Sequence, residues 1–313
     1  HVFAVTLFLE NPGYVVLHDA SLNYLATLVD EIYPGFMEAQ LRLQFPDIYH
    51  DVMASWRTVG PTEFDHREVA CVQWLQMARG IIVHSAAAER IVRRHIPAAH
   101  VVNIPHFAYP LPSGRKSQLR AETRARLGIA EDKIVLLSFG FLTKSKQVES
   151  VIQAISALPA TEQKKICYIL AGEEKKNEYA LPSQYADLPY LLRLPYVTEE
   201  EATGLFASAD ANVCLRYPTF AESSGTVARA LGAAVPVVVS ESGAFAELPE
   251  SVSFKVPSKA DVSRELSALF SAILSNRNLV RDKSNAARIF GNTTLSIEHC
   301  AAAYNAFLAT NRN

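Results

Sequence analysis

The 313-residue sequence holds only four cysteines, Cys71, Cys167, Cys214 and Cys300, and no C-x-x-C pair. They stand far apart among apolar neighbours. That pattern reads as small core thiols in a reducing, cytoplasmic setting rather than a disulfide framework or a zinc site. The nine histidines do not gather near them. Long apolar runs are missing too: the longest, Leu231–Val239, is nine residues, whereas a membrane-spanning helix needs ~20. Charge of one sign is also absent. Thirty Lys+Arg against 32 Asp+Glu leave a net charge of −2. A nucleic-acid binder would carry a basic excess or stripe, so nucleic acid is not an expected partner. Neither an initiator methionine nor a basic-then-apolar leader opens the chain, which is expected to begin inside a longer gene product. What is present is a globular mixture, 49% hydrophobic and 20% charged. It excludes disorder and collagen-like repeats, and at this length it suggests two domains.

Two stretches of alternating strands and helices flank a polar, proline-containing joint at residues 109–117. Before the joint, the strands are expected at Tyr14–Asp19, Gly80–Ser85 and His100–Pro105, with helices over Met37–Gln44, Arg67–Met77 and Ala87–His95. After it come a basic helix Gln118–Leu127 and the strands Lys133–Gly140, Ile166–Ala171, Leu192–Tyr196, Ala211–Leu215 and Val235–Ser240. Helices Glu199–Ser208 and Ser223–Gly232 alternate with them. Near-continuous apolar strands separated by helices mean parallel sheets covered on both faces. The fold class is therefore α/β, with two doubly wound domains. Expected boundaries are 1–112, 113–290 and a C-terminal helical segment 291–313.

In open α/β sheets ligands bind outside the carboxyl ends of the strands, so the residues just after each strand matter most. The segment Leu215–Leu231 is the richest. A strand ends, a polar loop follows, and a helix opens at about Ser223. The first N–H groups of that helix, on Ser224, Gly225 and Thr226, lack intrahelical partners and favour an anion. Gly225 leaves room for a phosphate, and Glu222 stands just before the anion site. The alternative is that Glu222 and Ser223 merely cap the helix. His84, Ser85 and His106 end or follow strands of the first half, with ligand contact and structural roles equally open; His18 ends another, its structural reading being a core histidine bonded to a backbone carbonyl. Trp56 and Tyr49, in an aromatic-rich stretch, offer either stacking on a ligand or packing. Arg115, Lys116, Arg120, Arg124 and Arg126 form a basic run that is either a solvated face or a peripheral contact with an anionic membrane.

The stretch Pro218–Gly225 followed by Ala230–Val238 resembles the nucleotide-sugar motif of retaining glycosyltransferases of family four, which have the GT-B fold. Supporting pieces run in that family's order: Val16–Asp19, Ile81–Ser85, Val102–His106, Ser138–Lys146, Leu170–Gly172, Ala209–Asp210 and Gly243–Glu247. The resemblance covers essentially the whole chain. It implies two Rossmann-like domains facing a cleft, the first apparently lacking its opening β/α units, and a C-terminal helix that crosses back to the first domain. It also implies a nucleotide sugar as donor and a glycan, lipid-linked or small-molecule acceptor. By the same resemblance His18 faces the donor sugar and Glu222 lies near the transferred sugar, while Gly140 and Lys146 belong to the loop that meets the diphosphate.

Two departures stand out. The second glutamate of the motif falls on Ala230, with Arg229 beside it, and the arginine of the glycine-rich loop falls on Phe141. Arg216 is the candidate replacement for the lost guanidinium, with a surface ion pair as its alternative. Ser223, Ser224, Gly225, Thr226 and Arg229 complete the expected donor set. No D-x-D pair occurs, so no metal or other cofactor is expected, and the leaving charge falls to Lys146, helix N–H groups and an arginine. Two other functions stay open: a catalytically degenerate nucleotide-sugar-binding subunit and a nucleotide-sugar epimerase of the same fold. Oligomeric state is not legible in the sequence.

Overall fold

In the computed structural model the apolar runs form two separate, wholly parallel sheets. The structure describes residues 2–59, 72–174, 179–219 and 221–310. The first sheet has the order β1-β2-β3, from Tyr14–Leu17, Gly80–Val83 and Val101–Asn103. The second contains β4 (Ile134–Phe139), β5 (Ile166–Ala171), β6 (Leu191–Leu194), β7 (Ala211–Cys214), β8 (Val237–Ser240) and β9 (Ser253–Val256), in the order β6-β5-β4-β7-β8-β9. The chain divides into two compact units. One comprises His1–Pro105, Pro218–Ser223 and Ala301–Asn313; the other comprises His106–Tyr217 and Ser224–Cys300.

The second sheet shows why its strands lack polar alternation. Ile134 and Leu136 pack into one helical layer, whereas Val135 and Leu137 pack into the other. All four are buried, as expected for a strand covered on both faces. The first sheet packs Leu17, Ile81 and Val83 against Leu41 and Val92, and Phe8 meets Trp74 edge-on with ring centroids 5.3 Å apart. The C-terminal helix Ile297–Ala309 brings Phe307 onto this sheet. Its ring stacks on His100 at 4.5 Å and lies edge-on to Tyr14 at 5.9 Å. A Cβ at Gly80 would stand 2.7 Å from that ring, so any side chain there would make Phe307 shift.

Several local expectations shift. The helix after the joint runs Ser113–Arg126 and starts five residues earlier than its apolar pattern suggests. Pro112, at φ −56°, is preset for a helix start. Three of the five basic residues in this region are spent inside their own unit rather than on a free face. Arg124, fully buried, and Arg120 each bind the Asp210 carboxylate at 2.8 Å. Asp210 also accepts the Val135 N–H at 2.7 Å. Lys116 Nζ donates to the Ala234 carbonyl at 2.8 Å. β9 and the helices Val262–Ser275 and Asn278–Asn292 complete the second unit; the sequence reading did not assign them. Of the helix expected over Arg67–Met77, Val72–Leu75 is helical. Residues 67–71, including Cys71, and the Trp56 side chain lie outside the described residues. Tyr49 is buried, its ring under the Arg42 guanidinium at 5.3 Å. Among the described residues, no helix is long and apolar enough to cross a membrane.

Candidate nucleotide-sugar site

The order of the second sheet locates the site before any side chain is considered. From β4 the chain winds outward through β5 and β6, then returns to the other side of β4 for β7, β8 and β9. The carboxyl ends of β4 and β7 therefore flank the point where winding reverses, and there the connecting loops diverge to leave a crevice. Gly140 follows β4 and Leu215–Ser224 follows β7.

Both loops are built for close approach. Gly140 has φ +90°, and Gly172, after β5, has φ +147°; a Cβ on Gly172 would lie 2.2 Å from the Gly140 carbonyl oxygen. The left-handed turn at Gly140 brings the chain back so that Lys146 Nζ donates to the Phe139 carbonyl at 2.8 Å. The two loops are then tied together. Tyr217 N–H donates to the Ser145 carbonyl at 2.8 Å, and Arg216 Nη1 donates to Ser145 Oγ at 3.3 Å. Arg216 N–H donates to Ser240 Oγ at 2.9 Å, which fixes its backbone on β8. Burial, reinforced by the nearby Arg216 charge, pushes the Lys146 ammonium down to about 8. Lys146 and Arg216 thus bring two cationic side chains to the same strand ends, a local field that favours an anion.

The helix after β7 runs Gly225–Gly232 and opens two residues later than expected. Ser223, still outside the helix, donates its N–H to the His18 carbonyl at 3.2 Å. Ser224 becomes the N-cap, its Oγ accepting the Val227 N–H at 3.3 Å and lying 3.5 Å from Cys214 Sγ. Gly225 and Thr226 thus stand in the first turn, with N–H groups that have no place in the helical ladder. The structure gathers Gly140, Lys146, Arg216, Ser224, Gly225 and Thr226 around the ends of β4 and β7.

Arg229 lies one turn further on and is committed elsewhere. Its guanidinium donates to the Glu199 carboxylate at 2.5 and 3.0 Å and to Thr203 Oγ1 at 3.0 Å. It also sits over the Phe206 and Phe139 rings at 5.2 and 5.7 Å. Gly225 and Arg229 line a pocket of about 380 Å³ with His106, Tyr109, Glu199 and Phe206. Glu199, Thr203 and Tyr109 were not among the sequence candidates; only the helix start at Glu199, with its Thr198–Glu201 capping box, was readable. Phe141, in the place where an arginine was expected, is exposed.

The remaining candidates fall in the first unit. Glu222 is buried, and its Oε2 accepts the Thr219 hydroxyl at 2.7 Å. Ala221 just before it has φ +56° and is packed into the core of the first unit. His18 follows β1 and anchors Ser223 by its carbonyl, so two sequence-distant candidates, His18 and Glu222, share one local framework. Among the described residues, no three His, Cys, Asp or Glu side chains are placed to hold a metal ion together.

Residues 120–290, more than half of the chain, match the sequence model of the family Glycosyl transferases group 1. The chain belongs to that family. This group 1 chain is also 29% identical over 133 residues to a UDP-N-acetylglucosamine--N-acetylmuramyl-(pentapeptide) pyrophosphoryl-undecaprenol N-acetylglucosamine transferase of Mycolicibacterium smegmatis. That match covers 41% of this chain and 33% of the relative, so the chain spans about a third of the curated relative it matches. Among solved structures, Anabaena Alr3699/HepE in complex with UDP and glucose superposes with a TM-score of 0.66 at 16% identity, over 99% of this chain and 76% of that one. Sucrose-phosphate synthase of Thermosynechococcus elongatus gives 0.65 at 17% identity, over 99% and 76%. At these identities the likeness concerns the fold, which is of the GT-B type.

Proposed function

We propose that the chain transfers a sugar from a nucleoside-diphosphate donor to a glycan, lipid-linked or small-molecule acceptor, with retention of configuration and without a metal. The observation that carries this reading is the meeting of Lys146 and Arg216 at the winding reversal of the second sheet, beside the first turn of the helix Gly225–Gly232. A departing nucleoside diphosphate concentrates negative charge on its phosphates. Lys146 offers a point charge and Arg216 a planar fork; the N–H groups of Gly225 and Thr226 add oriented dipoles. Arg216 takes the part that Phe141 cannot play. His18 and Glu222 are assigned to the transferred sugar, where Glu222, oriented by Thr219, accepts a hydroxyl hydrogen bond. With one such carboxylate rather than a glycosidase-type pair, the leaving diphosphate itself takes the acceptor proton on the face it departs from.

Isothermal titration with UDP, GDP and ADP tests the site. One nucleotide binds; Lys146→Ala and Arg216→Ala abolish or strongly weaken that binding, and Glu222→Gln largely keeps it. Binding unaffected by both cation variants would sink the assignment. A second reading, a nucleotide-sugar-binding subunit without turnover, is favoured by Phe141 and by the engagement of Arg229 with Glu199. It predicts the same binding with no sugar release from the matching nucleotide sugar.

A further inference from the structure

β1 and β2 pair in parallel with Leu17 opposite Val83. The next residue of each strand, His18 and His84, therefore leaves the sheet beside the other, about one strand spacing (~4.8 Å) away. The two imidazoles are stacked, with centroids 5.1 Å apart and planes inclined by 30°. The third strand fixes the second ring. Ile104, which follows β3, donates its N–H to the Val83 carbonyl at 2.8 Å, and its own carbonyl lies 2.8 Å from His84 Nδ1. A carbonyl oxygen only accepts, so His84 carries a proton on Nδ1. Ile104 and Val83 are both fully buried. The plane and tautomer of His84 are thus set by the sheet, and His18 lies against that plane while its carbonyl holds Ser223.

We infer that His84 is a positioning residue: its backbone-locked ring is the wall that fixes the orientation of the His18 imidazole. The inference rests on the proposed role of His18 at the transferred sugar. A histidine that hydrogen-bonds a sugar hydroxyl must aim one ring nitrogen, and the plane of its ring sets the direction of that aim. The stacked pair holds that plane without placing His84 on the substrate. The ring at position 84 is flat towards His18 and bonded at its edge to the Ile104 carbonyl.

The test compares His84→Ala with His84→Phe in the whole chain; phenylalanine keeps the flat wall and gives up the tether. The first readout is the plane of the His18 ring in crystal structures of the three proteins. It is the same in the parent and in His84→Phe; in His84→Ala the ring turns out of that plane or occupies more than one. The second readout is sugar release from UDP-glucose, GDP-mannose and ADP-glucose, using whichever is turned over. His84→Ala lowers kcat about tenfold and leaves KM within about twofold, and His84→Phe recovers most of the loss. An unchanged His18 ring plane in His84→Ala, or equal losses in both variants, overturns the inference. Wild-type turnover in His18→Ala instead overturns the proposed role of His18, whatever its ring plane.

Discussion

Lys146 carries an electrostatic tension that gives a signed prediction. Burial and the Arg216 charge lower its ammonium from 10.5 to about 8. Between those values the unfolded chain binds the proton and the folded chain does not, so stability rises with pH from about 8 to 10.5 on account of this residue. Below about 8 the charged form is a standing cost, and Lys146→Met, which keeps the stem, raises the unfolding midpoint at pH 7. Nucleotide binding has the opposite slope. A diphosphate favours the ammonium, so binding takes up a proton near pH 8, and affinity falls up to tenfold per unit above it. Titrations at pH 7, 8 and 9 in two buffers of different ionisation heat measure both effects. A Lys146→Met protein whose binding keeps the same pH slope would assign that slope to another group.

At the scale of elements, much of the second sheet is legible because both faces are covered. Runs such as Ile134–Phe139 and Ile166–Ala171 are too apolar to be anything but buried strands of this length. The start of the helix after β7 was not legible. Its cap falls on Ser224, and the Ser223 N–H just before it goes to the carbonyl of His18, a residue far away in sequence; no local pattern encodes that partner. Arg229 illustrates the same limit: its neighbours in sequence do not reveal Glu199 or the Phe139 and Phe206 rings. The basic helix misleads for a related reason, since side chains of Arg120 and Arg124 are counted as surface charge until Asp210 is placed beneath them. Two predictions belong here. Asp210→Ala leaves Arg124 buried without its carboxylate and costs about 3–5 kcal/mol in denaturant unfolding. Gly172→Ala forces a Cβ onto the Gly140 carbonyl at a backbone angle unfavourable to L-residues. It costs about 1–3 kcal/mol and weakens nucleotide binding, because Gly140 must move; calorimetry that finds intact affinity would detach this turn from the site.

At the scale of the whole chain, each compact unit has its own sheet and its own buried apolar cluster. Two cores need not melt together, so unfolding is expected to depart from a single two-state transition. The proposed cations and helix start that meet the diphosphate, Lys146, Arg216 and Gly225, all lie in the unit built on the six-stranded sheet, whereas His18 and Glu222 lie in the other. A nucleoside diphosphate without its sugar should therefore protect one unit preferentially. At a hundred times its dissociation constant, a ligand that binds only the folded form adds about 2.7 kcal/mol. Hydrogen exchange read strand by strand distinguishes where that energy goes: β4, β5 and β7 gain protection with the matching diphosphate, and β1, β2 and β3 keep their free-protein rates. Equal protection of both sheets by the diphosphate alone would move the anion site away from Lys146, and protection of neither by the nucleotide sugar would remove the donor from this chain.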